Sequence, residues 1–141
     1  EKTIGRYTNP RTKLNDLEFI DNWNNKEMRV PACRFVEQIL LAMAEGKKIL
    51  VHCDAGRDRT GTISALIVAL AVEEKRSLTP RIITAIECDY RKTKSLGRHK
   101  FGRMQRFIND LQSKGGISQF LQRQCKLDPL FISRAAESLI R

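Results

Sequence analysis

Apolar positions along the chain change period several times, and each change marks an element. Ile49-Leu50-Val51 is a continuous apolar run of strand length. Ile63, Leu66, Ile67, Leu70 and Ala71 follow at helical spacing and leave few polar interruptions. A helix apolar on most sides belongs at the centre of a core. Between the two runs stands a polar, glycine-containing stretch, His52 to Thr62. The pattern therefore reads as buried strand, tight loop, buried helix. Upstream, Phe35, Ile39, Leu40 and Met43 recur at helical spacing behind Pro31. Pro31 fits a first helical position, where its missing N–H costs nothing, and Gly46 fits the residue after the helix end. Downstream, Thr79-Pro80 reads as N-cap and first residue of a helix carrying Ile82, Ile83, Ile86 and Tyr90. A helix over roughly 101–113 offers Phe101, Met104, Phe107, Ile108 and Leu111, and Gly115-Gly116 breaks it. Two short helices are expected near 117–125 and 129–140, the second with Asp128 as N-cap and Pro129 behind it.

The first 25 residues are less patterned. Residues 1–17 are polar and contain Asn9-Pro10, a turn signal. Leu17-Glu18-Phe19-Ile20 fits a short strand that runs into the loop-like cluster Asp21 to Asn25. The alternation predicts an α/β fold: a central, mostly parallel sheet flanked by helices, with a helical C-terminal tail. One clear strand is too few for a sheet. Either residues 1–20 supply more strands, or an N-terminal part of the domain lies outside this chain. The expected organisation is one domain over residues 1–141, with 115–141 as a helical extension of it. A chain of 141 residues buries about two-thirds of the surface its unfolded form exposes.

Composition leaves that picture intact, at 41% apolar and 30% charged residues. No apolar run approaches the roughly 20 residues that span a bilayer, and no signal peptide is visible at the start. The net charge of +10 points to polyanions as partners: phosphorylated substrates, anionic lipid or nucleic acid. Few aromatic residues flank the basic stretch 91–106, so stacking of single-stranded bases is not indicated. No oligomer is indicated. The cysteines are Cys33, Cys53, Cys88 and Cys125, with no CxxC pair, and two histidines are too few for a zinc pattern. Free thiols in a reducing environment are expected, with Cys33 and Cys88 as core residues.

The central loop carries the chemistry. A loop between a buried strand and a helix N-terminus aims several backbone N–H groups at one point, where the helix dipole adds positive potential. Such a concavity binds anions. Asp54, Ala55, Gly56, Arg57, Asp58 and Arg59 would form its rim, with Gly56 permitting the backbone angles of a tight cradle. Arg59 supplies a planar fork for two phosphate oxygens. Cys53 at the mouth of this field would ionise well below the usual thiol value of about 8.5 and act as a nucleophile toward phosphorus. Thr60 is placed to donate a hydrogen bond to the sulfur, and His52 to orient the loop.

The sequence His52-Cys53-x-x-Gly56-x-x-Arg59-Thr60-Gly61 resembles the signature loop of the cysteine-dependent protein tyrosine phosphatase superfamily. Ala55 to Gly61 is most similar to the atypical bacterial tyrosine and lipid phosphatases, which carry Lys where this chain has Arg57. The resemblance covers roughly residues 17–141. It implies a sheet flanked by helices and hydrolysis of phosphate monoesters with no metal or other cofactor, through a phosphocysteine. It implies phosphotyrosine, dual-specificity or phosphoinositide substrates, with an anionic membrane surface as a further partner. The location it implies is cytoplasmic, or a host cytoplasm reached by export from a bacterium. A weak phosphate- or anionic-lipid-binding module and an RNA 5′-phosphatase are the alternatives. The leaving group needs a proton. Asp21, 32 residues before Cys53 in an Asn-rich segment beside Trp23, is the first candidate for the acid, with Trp23 placed to help close the site. Asp58 is the second, although an Asp at a helix start is commonly a cap. Asp16 is the third.

Overall fold

The computed structural model describes residues 16–51 and 57–139. Among them lie six helices: α1 (Lys26–Ala44), α2 (Asp58–Lys75), α3 (Pro80–Arg91), α4 (Arg103–Ser113), α5 (Ile117–Gln124) and α6 (Pro129–Leu139). Short 3-10 turns, Ile20–Asn24 and Arg98–Lys100, precede α1 and α4. The apolar period places α3 to α6 within two residues of where they stand. The cap at the start of α3 is also as the sequence reads it, with Thr79 Oγ1 accepting from the Ile82 N–H.

The expected α/β fold is overturned. The described residues contain no strand, so they form no central parallel sheet and are helical throughout. A strand must pair to satisfy its backbone, and the two segments read as strands cannot serve each other. Leu17 to Ile20 is consumed by a turn and the start of a 3-10 turn. Ile49-Leu50-Val51 stands without strand pairing, and Leu50 is 86% exposed. Short apolar runs do not by period alone distinguish a strand from other buried segments. The apolar surface is covered by helix on helix instead.

α2 is the central helix. Ile63, Ala65, Leu66, Ile67, Ala69, Leu70 and Ala71 are buried along it, and α3, α4, α5 and α6 all pack against it. Each large side chain so buried contributes roughly 1.5–3 kcal/mol. α1 packs on α5 and α6, so residues 115–139 are part of the core, with Ile117, Leu121 and Ile132 fully buried.

α1 begins five residues ahead of Pro31, because Asn25 caps it by accepting from the Glu27 N–H at 3.0 Å. Pro31 therefore sits inside the helix and forgoes one hydrogen bond there. The cysteines also differ from expectation. Cys33 of α1 is disulfide-bonded to Cys125 at the end of α5, and Cys88 is exposed rather than in the core. Sequence spacing carries no signal for a pair 92 residues apart; the packing of α1 on α5 brings the two together.

Candidate active site

His52, Cys53, Asp54, Ala55 and Gly56 lie outside the described residues. The other residues of the loop, Arg57, Asp58, Arg59 and Thr60, form the start of α2, and all four are half-buried. Arg57 is the N-cap and makes no side-chain cap bond to the helix. Asp58, the first helical residue, does not cap it either. Its carboxylate turns outward to other elements.

Three donors hold that carboxylate. Tyr90 Oη of α3 donates to Oδ1 at 2.7 Å. Lys100 Nζ, from the turn before α4, donates to Oδ2 at 2.8 Å. Arg57 Nε donates to the same Oδ2 at 2.9 Å. Burial alone would push the Asp58 pKa up. The hydrogen bonds from Lys100, Tyr90 and Arg57 together outweigh that and bring it down to about 2. Tyr90 moves the other way: burial, then its bond to an ionised Asp58, raise the phenol above its ordinary value. Arg57 is further fixed by an Nη1 bond to the Ser95 carbonyl at 3.2 Å. Thr62 Oγ1 donates to the Asp58 carbonyl at 2.7 Å.

Gly61 makes this arrangement possible. A Cβ placed there would lie 3.1 Å from Tyr90 Cδ1. Without it the ring lies close against the first turn of α2, where its hydroxyl reaches Asp58.

Asp21 is exposed on the 3-10 turn Ile20–Asn24, and that turn packs on α1 and α4. Its anchor is Trp23. The indole is fully buried, donates Nε1–H to the Leu17 carbonyl at 2.9 Å and meets Phe120 edge-on at 5.3 Å. Trp23 is thus a pin that holds the Asp21 turn to the core, and not a residue free to close over a site. Asp16 is exposed, at a backbone φ of 56°.

The basic stretch 91–106 is tied down at three points. Arg91 pairs with Glu87 at 2.9 Å, Lys100 with Asp58, and Arg103 with Glu18 at 2.8 Å. Arg91 and Arg103 also lie over the rings of Phe101 and Phe19. Glu87 is 2% exposed. It accepts from the Gly102 and Gln105 N–H groups at 2.9 and 3.0 Å, at the start of α4. Burial pushes its pKa up, but these two N–H groups and Arg91 bring the net value down.

Sequence reasoning missed Tyr90 as a polar partner, Lys100 as more than one cation in a basic run, and Glu87 altogether. For Glu87 a signal was present. It lies between Ile83 and Tyr90 on the spacing that forms the buried stripe of α3. A carboxylate in such a stripe has a partner.

No curated protein and no solved structure matches the chain. The family model described as "Tyrosine phosphatase family" matches residues 17–141. That span holds the Asp21 turn, the Cys53-to-Arg59 loop, the α2 start with its three-donor anchor, and every helix described above. Matched over nearly all its length, the chain belongs to the tyrosine phosphatase family and is of the phosphatase class of enzymes.

Proposed function

We propose that the chain hydrolyses phosphate monoesters through a phosphocysteine on Cys53, acting on phosphotyrosine (with dual specificity) and phosphoinositide substrates. The Cys53 thiolate attacks phosphorus, an S–P bond forms, and the P–O bond to the leaving group breaks. Asp21 gives its proton to the departing oxygen. Water then attacks the phosphocysteine, loses a proton to the Asp21 carboxylate, and frees phosphate and the thiolate. Arg59 holds two phosphate oxygens throughout. Asp54, Ala55, Gly56 and Arg57 complete the cradle, with Thr60 and His52 supporting the sulfur and the loop.

The observation that carries this reading is the start of α2. A helix N-terminus is stabilised by an acidic side chain, and one stands there in sequence. Its carboxylate is instead bonded to Tyr90, Lys100 and Arg57. The carboxylate is thus turned to side chains and not to the first turn, which supports the reading of this positive helix end as a place for a substrate anion. The same network supports Asp21 over Asp58 as the acid. Tyr90, Lys100 and Arg57 occupy the Asp58 carboxylate as an acceptor, so in this reading Asp58 positions cations and the acid role falls to Asp21.

Phosphate release from a generic aryl phosphate tests the reading. Cys53→Ser is expected to slow it on the order of 10³-fold or more; a rate equal to wild type would sink it. Asp21→Asn is expected to slow esters with poor leaving groups by roughly 10²-fold or more while sparing good ones. Equal slowing of both would remove Asp21 from the acid role.

A further inference from the structure

We propose that the Cys33–Cys125 disulfide is a redox switch acting on the general acid. Its reduction loosens the Asp21 turn and slows esters whose leaving group needs a proton. The inference rests on the phosphatase reading and deepens it. Asp21 stands between two anchors. Upstream of it, Glu18 is held by Arg103 of α4 at 2.8 Å. Downstream, Trp23 is buried against Phe120 of α5, and Asn25, which ends the turn, also caps α1. The downstream anchor therefore depends on how α1 and α5 sit against each other. α1 packs more extensively on α6 than on α5. The covalent link between α1 and the end of α5 is the Cys33–Cys125 bond. The turn, α1 and α5 so make a closed frame, joined at Asn25, at Trp23 on Phe120 and at the two sulfurs.

The bond is placed to respond to thiols. Cys33 and Cys125 are half-buried and not sealed in the core. The Gln124 carbonyl lies 3.6 Å from Cys33 Sγ, so a reduced Cys33 finds an acceptor beside its former partner. A covalent tie then gives way to a weak S–H···O contact. The chemistry of the site points the same way. An enzyme whose nucleophile is a cysteine thiolate works where thiols are kept reduced, and a disulfide in the same chain is there open to exchange. The reductant is a dithiol. One of its thiolates attacks a sulfur of the pair, the S–S bond breaks and a mixed disulfide forms. Its second thiol then displaces the protein sulfur. The dithiol leaves as a disulfide, and Cys33 and Cys125 are left as thiols with the two protons. Cys53 takes no part. Trp23 and Phe120 are positioning residues in this device, since they act on the substrate only through Asp21.

The test compares two aryl phosphates, one with a good and one with a poor leaving group, on wild type before and after dithiothreitol. Taking the ratio of the two rates cancels any effect of the reductant on Cys53. Reduction is expected to slow the poor leaving group about tenfold relative to the good one, as a small displacement of a catalytic group does. Cys125→Ser is expected to match the reduced protein and to ignore dithiothreitol. An unchanged ratio overturns the inference, and so does an equal fall for both esters, which marks a bond that only holds the fold. Should Cys125→Ser not fold, reduced wild type decides alone. In Asp21→Asn the reductant is expected to leave the ratio as it is; a dithiol effect that persists there removes Asp21 from the device. Trp23 is the only tryptophan of the chain, so its fluorescence reports on the frame directly. Reduction is expected to make it easier to quench with acrylamide, and equal quenching is fatal. Failure of the phosphatase reading shows itself separately, as aryl phosphate release that does not depend on Cys53.

Discussion

Three of the described α-helices begin without a cap from their own N-cap side chain, and they are treated in two ways. α4 and α5 start at Gly102 and Gly116, and each is closed by a glutamate from another helix. Glu87 of α3 takes two N–H groups of α4. Glu73 of α2 takes the Ile117 and Ser118 N–H groups of α5 at 2.8 and 3.2 Å. α2 starts at Arg57 and Asp58, where the resident carboxylate is held by Arg57 beside it and by Tyr90 and Lys100 from other elements. The physics of the three ends is the same: N–H groups without an intrahelical partner and a positive dipole end. What differs, among the described residues, is where the nearest carboxylate goes. Where the end serves the fold, an acid closes it. At the start of α2, Asp58 is bonded to Arg57, Tyr90 and Lys100 instead.

The largest effect should come from reopening a closed end. Glu87→Ala leaves two N–H groups and Arg91 without their buried partner, at a cost of about 3 kcal/mol. Urea unfolding reads this directly. Gly116→Ala comes next. Its φ of 103° disfavours any side chain, and the added Cβ would lie 2.9 Å from Glu73 Oε1, so about 2 kcal/mol should be lost. If either variant is as stable as wild type, the glutamate caps do not hold the fold as described.

The open end makes a pH prediction of opposite kind. Asp58 has its folded-state pKa lowered from 3.8 to about 2. A carboxyl depressed on folding contributes stability that is fully present above about 4 and is lost as the pH falls through about 2. At most about 2 kcal/mol is involved, and solvent at this quarter-exposed group reduces it. Asp58→Asn should flatten the stability profile between pH 4 and pH 2, relative to wild type. An unchanged acid limb would place the linkage elsewhere. The smallest effect is expected for Gly61→Ala, within about 1 kcal/mol of wild type. Better helix propensity there offsets the 3.1 Å crowding of Tyr90. Its mark should instead be a weakened Tyr90–Asp58 bond, seen as a phenol that titrates nearer its ordinary value.

Much of this was legible along the chain, for reasons that differ by element. α3 and α6 carry both an apolar stripe and a cap-then-proline start, two local signals that agree. The sequence signal starts α1 late because Pro31 resembles a beginning, while the cap is Asn25, an ordinary polar residue in a polar run. Two short apolar segments and a resemblance point to a sheet, but segments so short do not fix their structure by period, and Ile49 and Leu50 are exposed. At the candidate site, the loop chemistry was readable because its residues are contiguous. Tyr90 and Lys100 were not, because they lie 32 and 42 positions from Asp58. Only the packing of α3 and α4 against α2 makes them neighbours.

The Cys33–Cys125 bond gives the chain a covalent topology that its helices alone do not have. It closes a ring that contains α2, α3, α4, α5 and residues 52–56 with Cys53 among them. A protease that cuts once anywhere inside this ring releases no fragment. The cut opens the ring into two arms still joined at the sulfurs. Cys53, the proposed nucleophile, and Lys100 then remain on one molecule until a reductant parts them.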